Sequence, residues 1–523
     1  MEKMNQSKNI SLFDDIDDLQ LLQLTKTQAF LYKLIHFFKG IPGWFVNLFK
    51  AIGAFFVRFF SWLKKDIAEI ISTFVKGDFK TKISYLIMGF GSITRGQVLR
   101  GLLFLVFEIV FIIYMITAGF HWLGKLPTLG TQLPGTAYDP VLDTYVRVQG
   151  DDSFKCLLYG VLTIMFIIAF IYTWRLNVKQ NKISEEILAM GKKLKTTRQD
   201  LAELLDEQFH KTLLALPLTG ILLFTVFPII FMILVAFTNY DGAHDGYSNL
   251  FTWVGLDNFN ALLNLNLGAN NLSVAFGEIL SWTLIWAFFA TFTNYFLGMF
   301  VAIMINKKGI KLKKMWRGIL VLTSAVPQFI SLLYVSKMFS ANGLVNGMLL
   351  NTGIIKDLSH IIRFWETSSL ARVMVIIINI WIGIPYLMLI VTGILMNIPA
   401  DLYESAKIDG ANAVQQFFRI TLPYMLFVTG PYLLTSFINN INNFNVIFLL
   451  TGGGPDNPKL LTSAGSAGDT DLLVTWLFKI TTGAESKYYL ASVIGIMIFV
   501  VVSFLSLVVY NAIPSTRNEE DYS

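Results

Sequence analysis

The chain has little charge and almost no cysteine. Asp, Glu, Lys and Arg supply 15% of its 523 residues, where a soluble globular domain carries about 25%. Cys156 is the one cysteine, which excludes an internal disulfide framework and a cysteine-based metal site. The five histidines fall in no HExxH or comparable spacing, so no metal ligands are expected. GxxxxGK[ST] is absent, and with it a P-loop of the chain's own. No His/Asp/Glu or Ser/His cluster gathers at one membrane face, so no catalytic residue and no cofactor are expected. The stretch MEKMNQSKNISLFDDIDDLQLL is acidic and lacks the basic-then-apolar pattern of a signal peptide. The net charge of +6 is modest and is better read loop by loop than as a nucleic-acid footprint.

What is present is apolar. Hydrophobic residues make up 54% of the chain, and the mean hydropathy is +0.59. A helix needs about 20 mostly apolar residues to cross the hydrocarbon core. Eight such runs occur, at 101–119, 156–174, 213–238, 279–305, 316–339, 372–396, 424–450 and 489–511. The expected fold class is therefore all-α, a polytopic membrane protein with about eight transmembrane helices. Loop charge sets the orientation, because cytoplasmic loops are rich in Lys and Arg. Segment 175–211 holds eight basic residues and 306–317 holds six with no acid, whereas 239–278 holds none. With eight spans, parity then puts both termini and segment 397–423 in the cytoplasm.

Ahead of the first run, FLYKLIHFFKGIPGWFVNLFKAIGAFFVRFFSWLKK (30–65) is aromatic and basic. Lys50 and Arg58 interrupt it, and Pro42-Gly43 is expected to break it in two. A charge at mid-bilayer is costly, so two amphipathic helices on the inner membrane surface are favoured. One or two further spans are the alternative.

Segment 397–423, NIPADLYESAKIDGANAVQQFFRITLP, parses as two short helices. Asp401 is a plausible N-cap with Glu404 three residues on. Gly410 can adopt the left-handed conformation that ends a helix. Asn412 can cap a second helix carrying Val414, Phe417 and Phe418, and Pro423 is expected to separate it from the next span. An ordinary linker is the plain alternative, but small residues beside aromatics suit a docking face.

This segment closely resembles the EAA loop of bacterial ABC-importer permeases. Glu404, Ala406, Gly410, Ile420, Leu422 and Pro423 match the pattern, with Ser405 in place of the first Ala. In that family the loop docks in a groove of the ATPase subunit and transmits its motion. The stretches VPQFISLLY, IGIPYLMLI, INNINNFNVIFLLTGGGPDN and DTDLLVTWLFKI extend the resemblance to the maltose/maltodextrin permeases of the MalF type. The outside loop 239–278 is short where the enterobacterial type has a folded domain, and the N-terminal region is longer; both features are similar to Gram-positive relatives. The resemblance implies a type I ABC-importer permease in the bacterial cytoplasmic membrane, moving maltodextrin-type oligosaccharides by alternating access. It implies as partners a second permease of the MalG type, two ATPase subunits and a sugar-binding protein outside, periplasmic or lipid-anchored. Lipid surrounds the chain and no nucleic acid is expected. The expected organisation is 1–98 as a cytoplasmic region with interfacial helices, 99–211 as two spans and a basic loop, 212–515 as a six-span core with the coupling loop at 399–423, and 516–523 as a cytoplasmic tail. Raffinose- or galacto-oligosaccharide-type substrates would suit the same chemistry. An ion-coupled secondary transporter is the remaining alternative, for which paired intramembrane carboxylates and inverted repeats are missing.

The seventh run contains TSFINNINNFNVIF, with asparagines at 439, 440, 442, 443 and 445. They lie roughly 22–32 Å from Tyr424 along a helix, and amides in hydrocarbon must face protein or water. Interhelical bonding is the plain reading of one Asn. Ser436, Asn440, Asn443 and Ile447 form a stripe on a continuous helix, and a carboxamide, which both donates and accepts, suits a neutral polyhydroxyl ligand. Asn442 and Asn445 point elsewhere and are read as interhelical. In the sixth run Pro385 loosens the ladder beside Gly383, and Tyr386 offers a ring and a hydroxyl; Trp381 either does the same or packs. By resemblance, Gly383, Tyr386, Ser436, Asn439, Asn440 and Asn443 stand at sugar-contacting positions, with Asn439 where an aromatic is usual, and Ser331 is a further candidate. Glu108, in LLFLVFEIVFIIY, is either functional or hydrogen-bonded structurally.

Overall fold

The computed structural model describes residues 26–512, except 142, 247–248, 264–271, 308, 463–464 and 484. The acidic N-terminal stretch and the 516–523 tail lie outside these residues. Thirteen helices are used below: α1 (Lys26–Lys76), α2 (Val98–Lys125), α3 (Ser153–Ala189), α4 (Phe209–Val235), α5 (Leu272–Asn306), α6 (Lys313–Ala325), α7 (Gln328–Met338), α8 (Ser368–Leu395), α9 (Ala400–Ile408), α10 (Ala413–Ile441), α11 (Phe444–Thr451), α12 (Leu473–Thr482) and α13 (Tyr488–Ala512). Seven are long and apolar enough to cross a membrane, namely α2, α3, α4, α5, α8, α10 and α13, and eight if the bent pair α6–α7 is one span. The pair bends by 81° at Val326-Pro327, where proline holds the preceding residue extended. The described residues also form short helices and two hairpins: β1 (Gly135–Asp139) with β2 (Thr144–Val148), and β3 (Asp456–Thr462) with β4 (Gly465–Gly468), both antiparallel.

The chain divides into two compact units, one reaching Gly119 and adding Ile164–Pro217, the other comprising Phe120–Thr163 and the residues from Leu218 onward. In the first unit α1 is one helix of 51 residues. Pro42 does not break it, contrary to the sequence expectation, because one lost hydrogen bond is outweighed by unbroken turns on both sides. The end of α1 is fastened to the charged extension of α3. Arg175 lies 4.4 Å over the Trp62 ring and pairs with Asp66, and Lys182 pairs with Glu69 at 2.7 Å.

Residues 78–97 of the same unit form a polar knot. The Arg95 side chain, 2% exposed, donates to Asp78 at 2.6 Å, Thr81 at 2.7 Å and Asn181 at 2.7 Å. Asn177 accepts from Gly89 N–H at 3.0 Å and donates to the Ser84 carbonyl at 2.8 Å. Buried Glu108 accepts from Met88 N–H at 2.8 Å. Of its two readings the structure supplies the structural one: the carboxyl completes a turn that has no backbone acceptor.

The second unit is built around α5, which carries 15 buried residues and packs on α8 and α10. Gly298 of α5 faces Leu387 of α8, where an added Cβ would come within 2.7 Å of the Leu387 Cβ. Gly383 of α8 likewise faces Asn294 of α5. Both contacts advance four residues along each helix, so α5 and α8 run in the same sense, as two spans separated by one other must. α10 runs opposite to α5: Tyr295 bonds Thr429 at 2.7 Å, and Thr291 bonds Asn440 at 2.9 Å.

Candidate functional site

The coupling segment folds from its local signals, with two departures. α9 begins at Ala400 after Pro399, so Asp401 sits in the first turn and is not the N-cap; the proline already fixes the extended entry. At the other end Gly410 has φ +77°. Its N–H donates to the Lys407 carbonyl at 3.0 Å, and Ala411 N–H donates to the Ala406 carbonyl at 2.8 Å, which is a Schellman closure. Asn412 then caps α10 reciprocally with Gln415: Asn412 Oδ1 accepts from Gln415 N–H at 2.8 Å, and Gln415 Oε1 accepts from Asn412 N–H at 2.9 Å.

The second departure concerns Pro423, which does not separate the loop from the span. A π-helical turn at Phe417–Thr421 joins Ala413–Gln416 to Leu422–Ile441, making one helix with Pro423 in its first α-helical turn after the π segment. The wider turn relieves the ladder where the proline has no N–H to give. The same device recurs in α4, where the π turn Leu222–Val226 precedes Pro228. Tyr403 bonds Thr421 at 2.9 Å, tying α9 to α10.

This architecture leaves an apolar face open. Ile408 is 87% exposed, Val414 63% and Phe418 60%. Glu404, Ser405 and Gly410 are also exposed, Ala406 and Ile420 are half-buried, and Leu422 packs toward the cluster around Tyr295, Met299 and Met388.

The polar residues of the sixth and seventh runs form a layer inside the second unit. The seventh run is not one helix, which corrects the stripe: α10 ends at Ile441, and the chain restarts as α11 at Phe444. Ser436 and Asn440 keep their helical relation, but Asn443 is the N-cap of α11, its Oδ1 accepting from Val446 N–H at 3.3 Å. Neither Pro nor Gly marks this break; a capping Asn does. Asn440 bridges helices, donating to Thr291 Oγ1 at 2.9 Å and accepting from Asn443 Nδ2 at 3.3 Å. The indole of buried Trp286 donates to the Asn440 carbonyl at 3.0 Å.

Asn439, Asn442 and Asn445 are exposed on this chain, as are Trp381 and Tyr386. Ser436 is half-buried and neighbours Tyr432, which also lies near Tyr386. Ser331 sits half-buried on α7, which packs on α11. The structure thus brings Asn440 and Asn443 into direct contact. It also adds three residues that sequence reasoning missed. Thr291 and Asn294 stand one turn apart on α5, and Asn379 is buried one turn before Gly383 on α8. Their signal was there: polar residues at i, i+3 within apolar runs, and an Asn four residues ahead of Gly383.

Beyond α11 a second polar centre holds the hairpin β3–β4. Asp471, 0% exposed, takes bonds from Lys479 at 2.6 Å, Thr475 at 2.8 Å and Gly468 N–H at 2.7 Å. Burial raises its carboxyl above the usual range, and the Lys479 ammonium and these bonds pull it back only in part.

The family described as "Binding-protein-dependent transport system inner membrane component" matches residues 294–517. The maltodextrin transport system permease protein MalC of Streptococcus pneumoniae is 33% identical over 450 residues, covering 84% of this chain and 97% of that protein. MdxF of Bacillus subtilis, also a maltodextrin transport system permease protein, is 33% identical over 455 residues, 86% of this chain and 98% of its own. GanP of Bacillus subtilis, a galactooligosaccharides transport system permease protein, is 30% identical over 439 residues, 83% of this chain and 97% of its own. Such identity along nearly the whole of each relative, with the family match running from α5 past α13, means that the chain belongs to the inner-membrane permeases of binding-protein-dependent ABC importers.

Proposed function

We propose that the chain carries maltodextrin-type oligosaccharides across the bacterial cytoplasmic membrane as one of two permease subunits, driven by ATPases on separate chains. The observation that carries this reading is the coupling segment. A capped, rigid two-helix loop with Ile408, Val414 and Phe418 turned outward is a docking element, and it sits in a chain similar to MalC and MdxF. Glu404, Ser405, Ala406, Gly410, Ile420, Leu422 and Pro423 form or support the surface an ATPase subunit grips. The basic loops 175–211 and 306–317 support a cytoplasmic position for that loop and for both termini.

A second, MalG-type permease faces the exposed Trp381 and completes the path, of which Gly383, Tyr386, Ser436, Asn439, Asn440, Asn443 and Ser331 line this half. A binding protein delivers the sugar from outside. Two ATPase subunits close on ATP and move the loops, and the cavity alternates its opening. The sugar biases that cycle only through its different affinity for the two states. The similarity to GanP favours a galacto-oligosaccharide as the second reading. Reconstitution with the ATPase, partner permease and binding protein tests both, with uptake measured across a sugar panel and with or without internal ATP. Maltotriose uptake that requires ATP is expected. Uptake that ignores ATP and follows a proton or sodium gradient would refute the coupling, and preference for galacto-oligosaccharides would move the substrate to the second reading.

A further inference from the structure

We propose that Asn294 is a specificity-determining residue of the sugar path, its side-chain oxygen accepting a hydrogen bond from a substrate hydroxyl across Gly383. The inference rests on the sugar-permease reading and adds a residue to it. Asn294 lies on the central helix α5 and is 8% exposed. Its Oδ1 is buried and has no hydrogen-bond partner among the described residues. A buried acceptor left unpaired is costly, and an apolar side chain of similar size would fill the same space without that cost.

The space itself is shaped around the amide. A Cβ on Gly383 would meet Asn294 Nδ2 at 1.9 Å, Cγ at 2.7 Å and Oδ1 at 2.8 Å. One turn on, the contact is reversed, with Gly298 of α5 against Leu387 of α8. There the facing side chain is apolar and complete in itself; at 294 it is a carboxamide with an acceptor unspent. The other amides of the layer are engaged. Asn440 is held by Thr291 and Asn443, and Asn443 Oδ1 caps α11. Thr291 and Asn294 are one turn apart on the same face of α5, so the free acceptor lies beside the bonded amides. Gly383 is only half-buried, and its missing side chain makes the room that the Asn294 carboxamide fills, which leaves the amide separated from the open side of α8 by backbone alone. An acceptor without charge matches a neutral polyol.

The test uses the full transporter in proteoliposomes, with the same binding protein in every arm so that its own preference cancels. Uptake of maltotriose is compared with uptake of singly deoxygenated maltotrioses. With Asn294→Ala, which cannot clash, maltotriose uptake should fall roughly tenfold, the effect of one lost hydrogen bond. One deoxy analogue should lose its disadvantage, while ATPase subunits still co-purify. Asn294→Leu should behave alike if the Ala variant assembles poorly. Gly383→Ala should block transport. If Gly383→Ala with Asn294→Ala restores wild-type rate and selectivity, Asn294 only packs and the inference fails. Unchanged selectivity in both single variants at 294 also overturns it. A wild-type complex that takes up no sugar instead refutes the function reading.

Discussion

Gly410 offers the cleanest perturbation of the coupling loop. Its φ of +77° is one that an L-residue adopts at a cost of roughly 1–2 kcal/mol. A Cβ there would meet nothing within 4 Å, so Gly410→Ala changes backbone preference and touches no neighbour. If the ATPase docks only on the preformed two-helix loop, that cost weakens docking by about 5- to 30-fold. Gly410→Pro goes further. Proline holds φ near −65°, and it abolishes the Gly410 N–H bond to Lys407 at 3.0 Å and misaligns the Ala411 bond to Ala406 at 2.8 Å. At about 1 kcal/mol for each bond, the total of roughly 3–4 kcal/mol weakens docking by two to three orders of magnitude. Both variants should insert into the membrane at wild-type levels, since α10 and its cap lie beyond the change. The assay is co-purification of the ATPase subunits and the ATPase rate of the reconstituted complex. The order wild type, Ala, Pro is expected in both. ATPase retained at wild-type stoichiometry by Gly410→Pro would show that the loop does not carry the contact.

Three further outcomes follow from particular contacts. Asn443→Leu removes both the cap of α11 and the bond to Asn440 and should lower uptake while sparing assembly; Asn443→Ser keeps the cap and should recover the stability but not the uptake. Full uptake in Asn443→Leu removes this residue from the path. Tyr403→Phe deletes the 2.9 Å bond to Thr421 and should leave ATPase binding intact while lowering sugar moved per ATP hydrolysed; an unchanged ratio would mean that other contacts tie α9 to α10. Lys479→Met leaves Asp471 buried without its cation. An acid whose folded pKa is raised contributes stability below its unfolded value, about 4, and loses it as pH rises. The variant should therefore fall further below wild type at pH 8 than at pH 5, by at most about 3 kcal/mol given that Lys479 keeps 28% of its side chain exposed. A pH-independent difference would refute this.

The apolar runs were legible because a bilayer imposes one length and one composition on every span; six of the eight fall on one described helix each, while 316–339 and 424–450 each fall on two. Gly410 and Asn412 were legible because a left-handed turn and a capping box have local chemistry. Breaks in helices were read less well. Pro42 and Pro423 looked like terminators, yet the first lies within a continuous helix and the second follows a π turn that removes its conflict. The actual break at Asn442–Asn443 has no proline or glycine, and it exists because a capping side chain and a neighbouring amide make the interruption tolerable. Asn294 was passed over for a different reason: its spacing from Thr291 was on view, but a polar residue in an apolar helix gains a meaning only when the facing residue is known, and the facing residue is Gly383, nearly ninety positions on.

These corrections alter how the site and the loop are connected. With Pro423 as a separator, the loop would hang from the span by a flexible joint, and its motion would be lost there. The continuous helix α10 instead runs 29 residues from Ala413 to Ile441, about 43 Å, with the docking face at one end and Asn440 at the other. Tyr403 fixes α9 to that helix near its start, and Thr429 pins its middle to Tyr295 of α5. The π turn Phe417–Thr421 and Pro431 lie between the loop and Asn440. Beyond Ile441 the chain is interrupted at Asn442–Asn443, and the bonds from Asn440 to Thr291 and Asn443 hold that end in place. Those bonds occupy the amides in the present conformation. If a movement of the loop broke these bonds, Asn440 and Asn443 would be freed for a polyol, and the affinity of the proposed path would then depend on the position of the coupling loop.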